Sequence, residues 1–181
     1  MATSISGIVG TVVSVRRYPV KSMQGEELNA AWVTLCGLLG DRAWALVDAE
    51  DGKIVSAKNP RKWPAMFDFH SEFVQPPRAG DPLPPVRITL PDGSSATSQQ
   101  ADVDELLSQA LSRRVRLMSA ASDEQMLEEY LPDIEGLSRR DAVTDEEIPG
   151  GAFFDGAPIH LLTTATLDRL RECYPPGRFE V

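Results

Sequence analysis

Cysteine and histidine are scarce, with two of each in 181 residues. Cys36 and Cys173 stand far apart without CxxC spacing, which excludes a disulfide framework and a cysteine-built zinc site and points to a reducing compartment. Neither has the electropositive neighbours in sequence that mark an activated thiolate. Cys36 lies in an apolar run and reads as a core residue, and Cys173 falls on a helical pattern near the end. There is no HExxH, GxSxG, Walker A or GxGxxG sequence, so a histidine-based triad and the standard nucleotide loops find no support. His70, among alternating aromatics in "FDFHSEF", reads as a strand residue; His160, before "LLTT", has the better claim to a functional role. No apolar run approaches the roughly 18 residues needed to span a bilayer. "MATSISGIVG" lacks the basic start and apolar stretch of a leader, so a cytoplasmic location is expected. Basic residues are outnumbered: 18 Lys+Arg against 27 Asp+Glu leave a formal charge of -9, which argues against nucleic acid or an anionic membrane as partner.

What is present reads as an α+β chain, mainly β. The runs "GIVGTVVSVRRYPV", "EELNAAWVTLCGL", "RAWALVDAEDGKIVSA" and "KWPAMFDFHSEF" are short, rich in Val, Trp, Phe and Ile, and punctuated by glycine, proline or aspartate. Such spacing favours a small barrel or sandwich. Asp51-Gly52 predicts a hairpin turn between two apolar segments. Six of the 14 prolines crowd into "VQPPRAGDPLPPVRITLPDG", a surface connection that need not be a domain boundary. Beyond it, "DVDELLSQALSRR" sets Val103, Leu106, Leu107, Ala110 and Leu111 on one helical face, with Asp102 near the start and Arg113 and Arg114 at the end, as the helix dipole favours. "VRLMSAAS" reads as a returning strand and "DEQMLEEYL" as a short acidic helix with a solvated face. "DIEGLSRRDAVTDEEIPGGAFFDGAP" shows no period and reads as a long excursion. At the end, "PIHLL" predicts a short strand running into Thr163, Thr164 and Thr166, one of which caps a helix bearing Leu167, Leu170 and Cys173.

Three loops carry basic groups. In "YPVKSMQGEEL", Lys21 and Ser22 follow a proline that ends a strand, and Gly25 lets the loop turn its amides inward as an anion nest; an ordinary turn with a solvated lysine is the plain alternative. "GLLGDRAWALV" sets Arg42 after a Gly-Asp turn, where its guanidinium suits phosphate or a pair with Asp41. "SAKNPRKW" places Lys58, Arg61 and Lys62 within five residues, an ordinary solvated edge unless the three loops converge on one anion. The hydroxyls of Thr163, Thr164 and Thr166 at a helix start add a fourth donor group, although capping needs only one of them.

"YPVKSMQGEEL", "GLLGDRAWALVDAEDGKIVSAKNPRKWPAM" and "FDGAPIHLLTTATLDRL" together resemble, in order and over roughly residues 7 to 172, the MOSC-domain molybdenum-cofactor proteins of the type that includes the mitochondrial amidoxime reducing component and its bacterial relatives. The resemblance implies a MOSC N-terminal β-barrel domain with one or two packed helices over residues 1–121. An acidic helix and connecting excursion over 122–154 and the first strand and helix of a MOSC domain over 155–181 complete the implied order. It implies a molybdopterin held through Lys21, Ser22 and Arg42, with Lys58 or Arg61 as an electrostatic rim and Thr163, Thr164 and Thr166 as weaker contacts. Family members of this type reduce N-hydroxylated compounds with electrons from a partner redox protein or reductase domain. The family's later Arg-Phe-Arg-Pro-Asn motif and molybdenum-ligating cysteine do not occur in this sequence, and neither Cys36 nor Cys173 sits in the matching context. The chain alone is therefore expected to be inactive and to need the remaining MOSC domain. A stand-alone β-barrel binding or interaction module, or a pyridoxal-phosphate-linked MOSC protein, are the alternatives.

Overall fold

The computed structural model describes residues 10–120, 125–148, 151–177 and 179. It is mainly β, with eleven short strands and two α-helices among those residues. β1 (Val15–Arg17) pairs antiparallel with β2 (Glu26–Leu28), setting Arg16 opposite Glu27 and Arg17 opposite Glu26. Those cross-strand pairs join opposite charges, at 3.4 Å and 2.8 Å. β3 (Val33–Thr34) and β4 (Gly37–Leu38) form a second small hairpin. β5 (Trp44–Asp48) pairs antiparallel with β9 (Val115–Ser119). β6 (His70–Phe73), β7 (Val86–Thr89) and β8 (Ser95–Thr97) make a three-stranded meander. β10 (Gln125–Leu131) and β11 (Ala142–Ile148) form the longest ladder.

The sheets do not close into one continuous barrel ladder; isolated bridges stitch them together. Val20 bridges Trp44, Gln24 bridges His70, and Ile54 bridges both Val47 and Leu127. The core explains why. Leu46 points into a cluster with Val20, Met66, Phe69, Ile88 and Leu107, whereas its neighbours Ala45 and Val47 point into another with Ile54, Leu127 and Ile148. β5 is thus buried on both faces, which is why it reads as an unbroken apolar run rather than an alternating one.

The expected hairpin forms: Gly52 takes φ +75° and the returning Val55 amide donates to the Leu46 carbonyl at 2.8 Å. The proline-rich stretch is a surface link, since β6 and β7 pair directly across it. α1 (Val103–Leu111) lies where the pattern predicts, burying Val103 and Leu107 with Leu106 and Leu111 against the same cluster. Ala110 is exposed, however, and the helix ends at Ser112 in a left-handed conformation (φ 53°), so Arg113 and Arg114 fall beyond its last turn. Asp102 makes no side-chain cap.

The described part of "DEQMLEEYL", from Gln125 on, is strand β10 rather than a helix, and the supposed excursion supplies its partner, β11. Tertiary partners override the helical propensity of Glu, Met and Leu here, because Leu127 must reach a core and the glutamates meet lysines from the hairpin. Residues 157–163 form no strand, although α2 (Thr164–Cys173) follows with Thr163 as its N-cap. Cys36 is exposed in the tight turn between β3 and β4, not in the core. Cys173 is exposed as well. No helix among the described residues is long and apolar enough to cross a membrane.

Candidate functional site

The first loop runs alongside the start of β5. The Lys21 amide donates to the Trp44 carbonyl (2.9 Å), the Trp44 amide to the Pro19 carbonyl (3.0 Å), and the Arg42 amide to the Tyr18 carbonyl (2.8 Å). These bonds zip residues 18–21 onto residues 42–44, so the Lys21 and Arg42 loops are one unit. Ser22 takes the left-handed region (φ 66°), as does Arg42 (φ 49°), an uncommon state for residues with a Cβ. Gly25 serves the turn in another way than expected: it shows no positive φ, but a Cβ there would meet the Arg17 carbonyl and the Tyr18 ring. Its value is close approach, which lets β2 fold back on β1.

The hairpin return joins them, because the Ser22 hydroxyl accepts from the Ala57 amide at 3.0 Å. Residues 18, 21–24, 42, 56–58 and 67 together with residues 153–155 and 160 line a cavity of about 430 Å³. Lys21, Arg42, Lys58 and His160 line it, with Tyr18, Phe67 and Phe154 as aromatic walls. In a chain of net charge -9, three cations from three loops meet at one concavity.

Lys21 is almost wholly buried; its ammonium donates to the Phe153 carbonyl at 3.1 Å and to the Asp155 carboxylate. Burial lowers its pKa from the ordinary lysine value, Asp155 works the other way, and the charges of Lys58 and Arg42 add to the lowering. Arg42 is held from below: its Nη1 binds both oxygens of Asp41 at 2.7 Å and 2.6 Å, and Asp41 also accepts from the Tyr18 amide at 2.7 Å. Burial raises the Asp41 carboxyl above its usual range, with Arg42 opposing. The guanidinium stacks over Tyr18, 4.3 Å from the ring centre, and lies 5.9 Å from that of Phe154. Lys58 touches Glu146 at 2.5 Å, and although burial works against its charge, that contact and the carboxylates of Asp155 and Glu129 keep its pKa raised.

The remaining expected residues lie elsewhere. Arg61 projects to the surface, 2.6 Å from Asp141 and 4.0 Å over the Tyr130 ring. Thr163 spends its hydroxyl on the Thr166 amide at 3.1 Å, and none of Thr163, Thr164 and Thr166 lines the cavity. Capping accounts for Thr163 and Thr166. His70 sits half-buried on β6 opposite Thr89. Sequence reasoning missed Asp155 and the two phenylalanines before it, because "FFDGAP" carries no periodicity; its one signal is an aspartate ahead of glycine in an otherwise apolar stretch.

The donor set suits a phosphate-bearing ligand: an ammonium, a guanidinium and a hydroxyl-bearing turn beside flat aromatic surfaces. It offers no thiolate, since neither exposed cysteine lines the cavity. Among the described residues no group of three His, Cys, Asp or Glu is placed to hold a metal ion. The model of the family described as MOSC N-terminal beta barrel domain matches residues 9–133. No curated protein and no solved structure matches the chain.

Proposed function

The chain belongs to the MOSC N-terminal beta barrel domain family, and from that premise we propose that its cavity binds the phosphate end of a molybdopterin cofactor within a molybdenum-cofactor oxidoreductase. The observation that carries this reading is the convergence of Lys21, Arg42 and Lys58 on one cavity of about 430 Å³. Lys21 and Arg42 would hold the phosphate, Lys58 would supply rim charge, and Tyr18, Phe67 and Phe154 offer surfaces for a flat ring. The residues present fit the phosphate and pterin and provide no ligand to the metal. The cofactor, once bound, supplies the two-electron chemistry by which N-hydroxylated compounds lose their oxygen as water, as in proteins like the amidoxime reducing component. This chain's share is to bind, orient and balance charge. The thiolate and the electrons then come from outside the cavity, from a MOSC domain and from a partner redox protein or reductase domain. Two unpaired, exposed cysteines agree with a cytoplasmic setting.

The test is to purify the chain together with the MOSC domain it is expected to need, from a host that makes molybdopterin, and to measure bound pterin by fluorescence after oxidation. We expect pterin in the wild-type protein and at least about a tenfold loss in Lys21→Met and Arg42→Gln, each checked for folding by circular dichroism. Equal pterin in all three, or none in any, sinks the reading. One observation favours a pyridoxal-phosphate alternative: a buried lysine of lowered basicity beside a phosphate-compatible pocket is a candidate nucleophile. The absorption spectrum of the purified chain separates the two.

A further inference from the structure

The lysine at the centre of this cavity already has an anion. The Lys21 ammonium is closed in on one side by the Phe153 carbonyl and on the other by the Asp155 carboxylate. The two acceptors are held very differently. Phe153 is fixed: its ring is buried in the second core cluster and its amide donates to the Arg42 carbonyl at 2.9 Å. Asp155 lies two residues further along, its side chain 39% exposed, and Gly156 follows it. Its carboxylate also acts on Lys58, so one negative charge is shared between two of the three cations that line the cavity. Phosphate groups and Asp155 therefore seek the same ammonium.

We propose that Asp155 is an internal counter-ion that an incoming phosphate or pyrophosphate group must displace from Lys21, so that this residue sets the affinity and charge threshold of the pocket. The inference rests on the anion-pocket reading above and adds to it a residue that opposes binding. A phosphate group carries up to two charges and three acceptor oxygens, and it can engage Lys21 and Arg42 together. A single carboxylate cannot match that, and this makes displacement favourable. Because Phe153 stays anchored to Arg42, Asp155 can swing toward solvent without moving the wall behind it.

The experiment is calorimetric titration of inorganic pyrophosphate into the whole chain, below neutral pH so that the loss of Asp155 does not cost Lys21 its proton. Wild type, Asp155→Asn, Lys21→Met and the double variant are compared. We expect Asp155→Asn to bind about tenfold tighter than wild type, and the same substitution in the Lys21→Met background to change affinity less than about threefold, the signature of coupled residues. Asp155→Glu, which keeps the charge, should stay near wild type. If Lys21→Met weakens binding while Asp155→Asn binds no tighter than wild type, Asp155 is no competitor, and the pocket reading survives without it. If Lys21→Met binds pyrophosphate as well as wild type does, the pocket reading falls and takes this inference with it.

Discussion

Lys58 and Lys62 stand four positions apart on one loop, yet they end in opposite circumstances. Lys62 is consumed by its neighbours: Asp51 at 2.7 Å, Asp48 at 3.0 Å and Glu128 at 3.3 Å surround it. Nearby, Lys53 is likewise taken by Asp145 at 2.6 Å and Glu128 at 3.2 Å. These cations hold the hairpin to β10 and β11. Across the same hairpin, Lys58, Lys21 and Arg42 line a cavity, although each of them also has a carboxylate partner. The same residue types thus brace the hairpin on one side and line a cavity on the other. What separates them is where the carboxylates lie: around Lys62 and Lys53 they surround the cation, whereas of Glu146, Glu129, Asp41 and Asp155, which hold Lys58, Arg42 and Lys21, only Asp155 lines the cavity.

The contrast can be attacked from both sides. Lys62→Met should cost most, about 3 kcal/mol, because it leaves the buried Asp48 beside Glu128 without their shared cation. Urea unfolding should show a lower midpoint, and pyrophosphate affinity should stay put; a change in affinity instead would erase the distinction drawn here. Lys21 should reveal itself next, through pH. Burial holds it below its ordinary value of 10.5. Between its folded value and 10.5 the unfolded chain therefore carries a proton that the folded chain has released, so stability rises with pH across that window. Wild type should gain on Lys21→Met as pH climbs through it, measured as the difference in unfolding free energy; a flat difference would mean that Lys21 is not the desolvated amine described. Arg61→Ala should do least, leaving the urea midpoint close to that of wild type, since both it and Asp141 are well exposed. It should leave pyrophosphate binding unchanged, whereas a clear loss of affinity would return Arg61 to the site.

Much of this was legible in the chain itself, for reasons that can be named. α1 and β9 are local patterns, with an apolar stripe at helical spacing followed by a short β-rich run, and the Asp51-Gly52 turn is chemistry carried by two residues. Lys21, Ser22, Arg42 and Lys58 stand out because each lies in a turn or loop at the end of a strand or just before one, and the structure brings all four to the cavity. β10 and β11 were illegible because their signal is not local. "QMLEEYL" has helix-forming residues, and what makes it a strand is a set of lysines as far as 75 residues from their partners. Arg61 could not be told from Lys58 by composition, since only the direction of the loop decides which of them meets Tyr130 and which meets the cavity. Asp155 was hidden for the same reason, in a stretch that gains its meaning only when Lys21, 134 residues earlier, lies against it.

The double burial of β5 also gauges the distances between charges. Arg42 stands just ahead of the strand, and the hairpin beyond its far end turns back, so that Val55 pairs with Leu46 and the chain reaches Lys58 on the Arg42 side. The spacing among Lys21, Arg42 and Lys58 is thereby inherited from the registration of apolar residues. A slip of one position would turn Ile54 and Val55 out of their separate clusters before it moved any cation. The chain cannot retune its pocket by sliding the hairpin: a ligand of another size would have to be met by changing side chains at the rim, while the scaffold that measures them stays as it is.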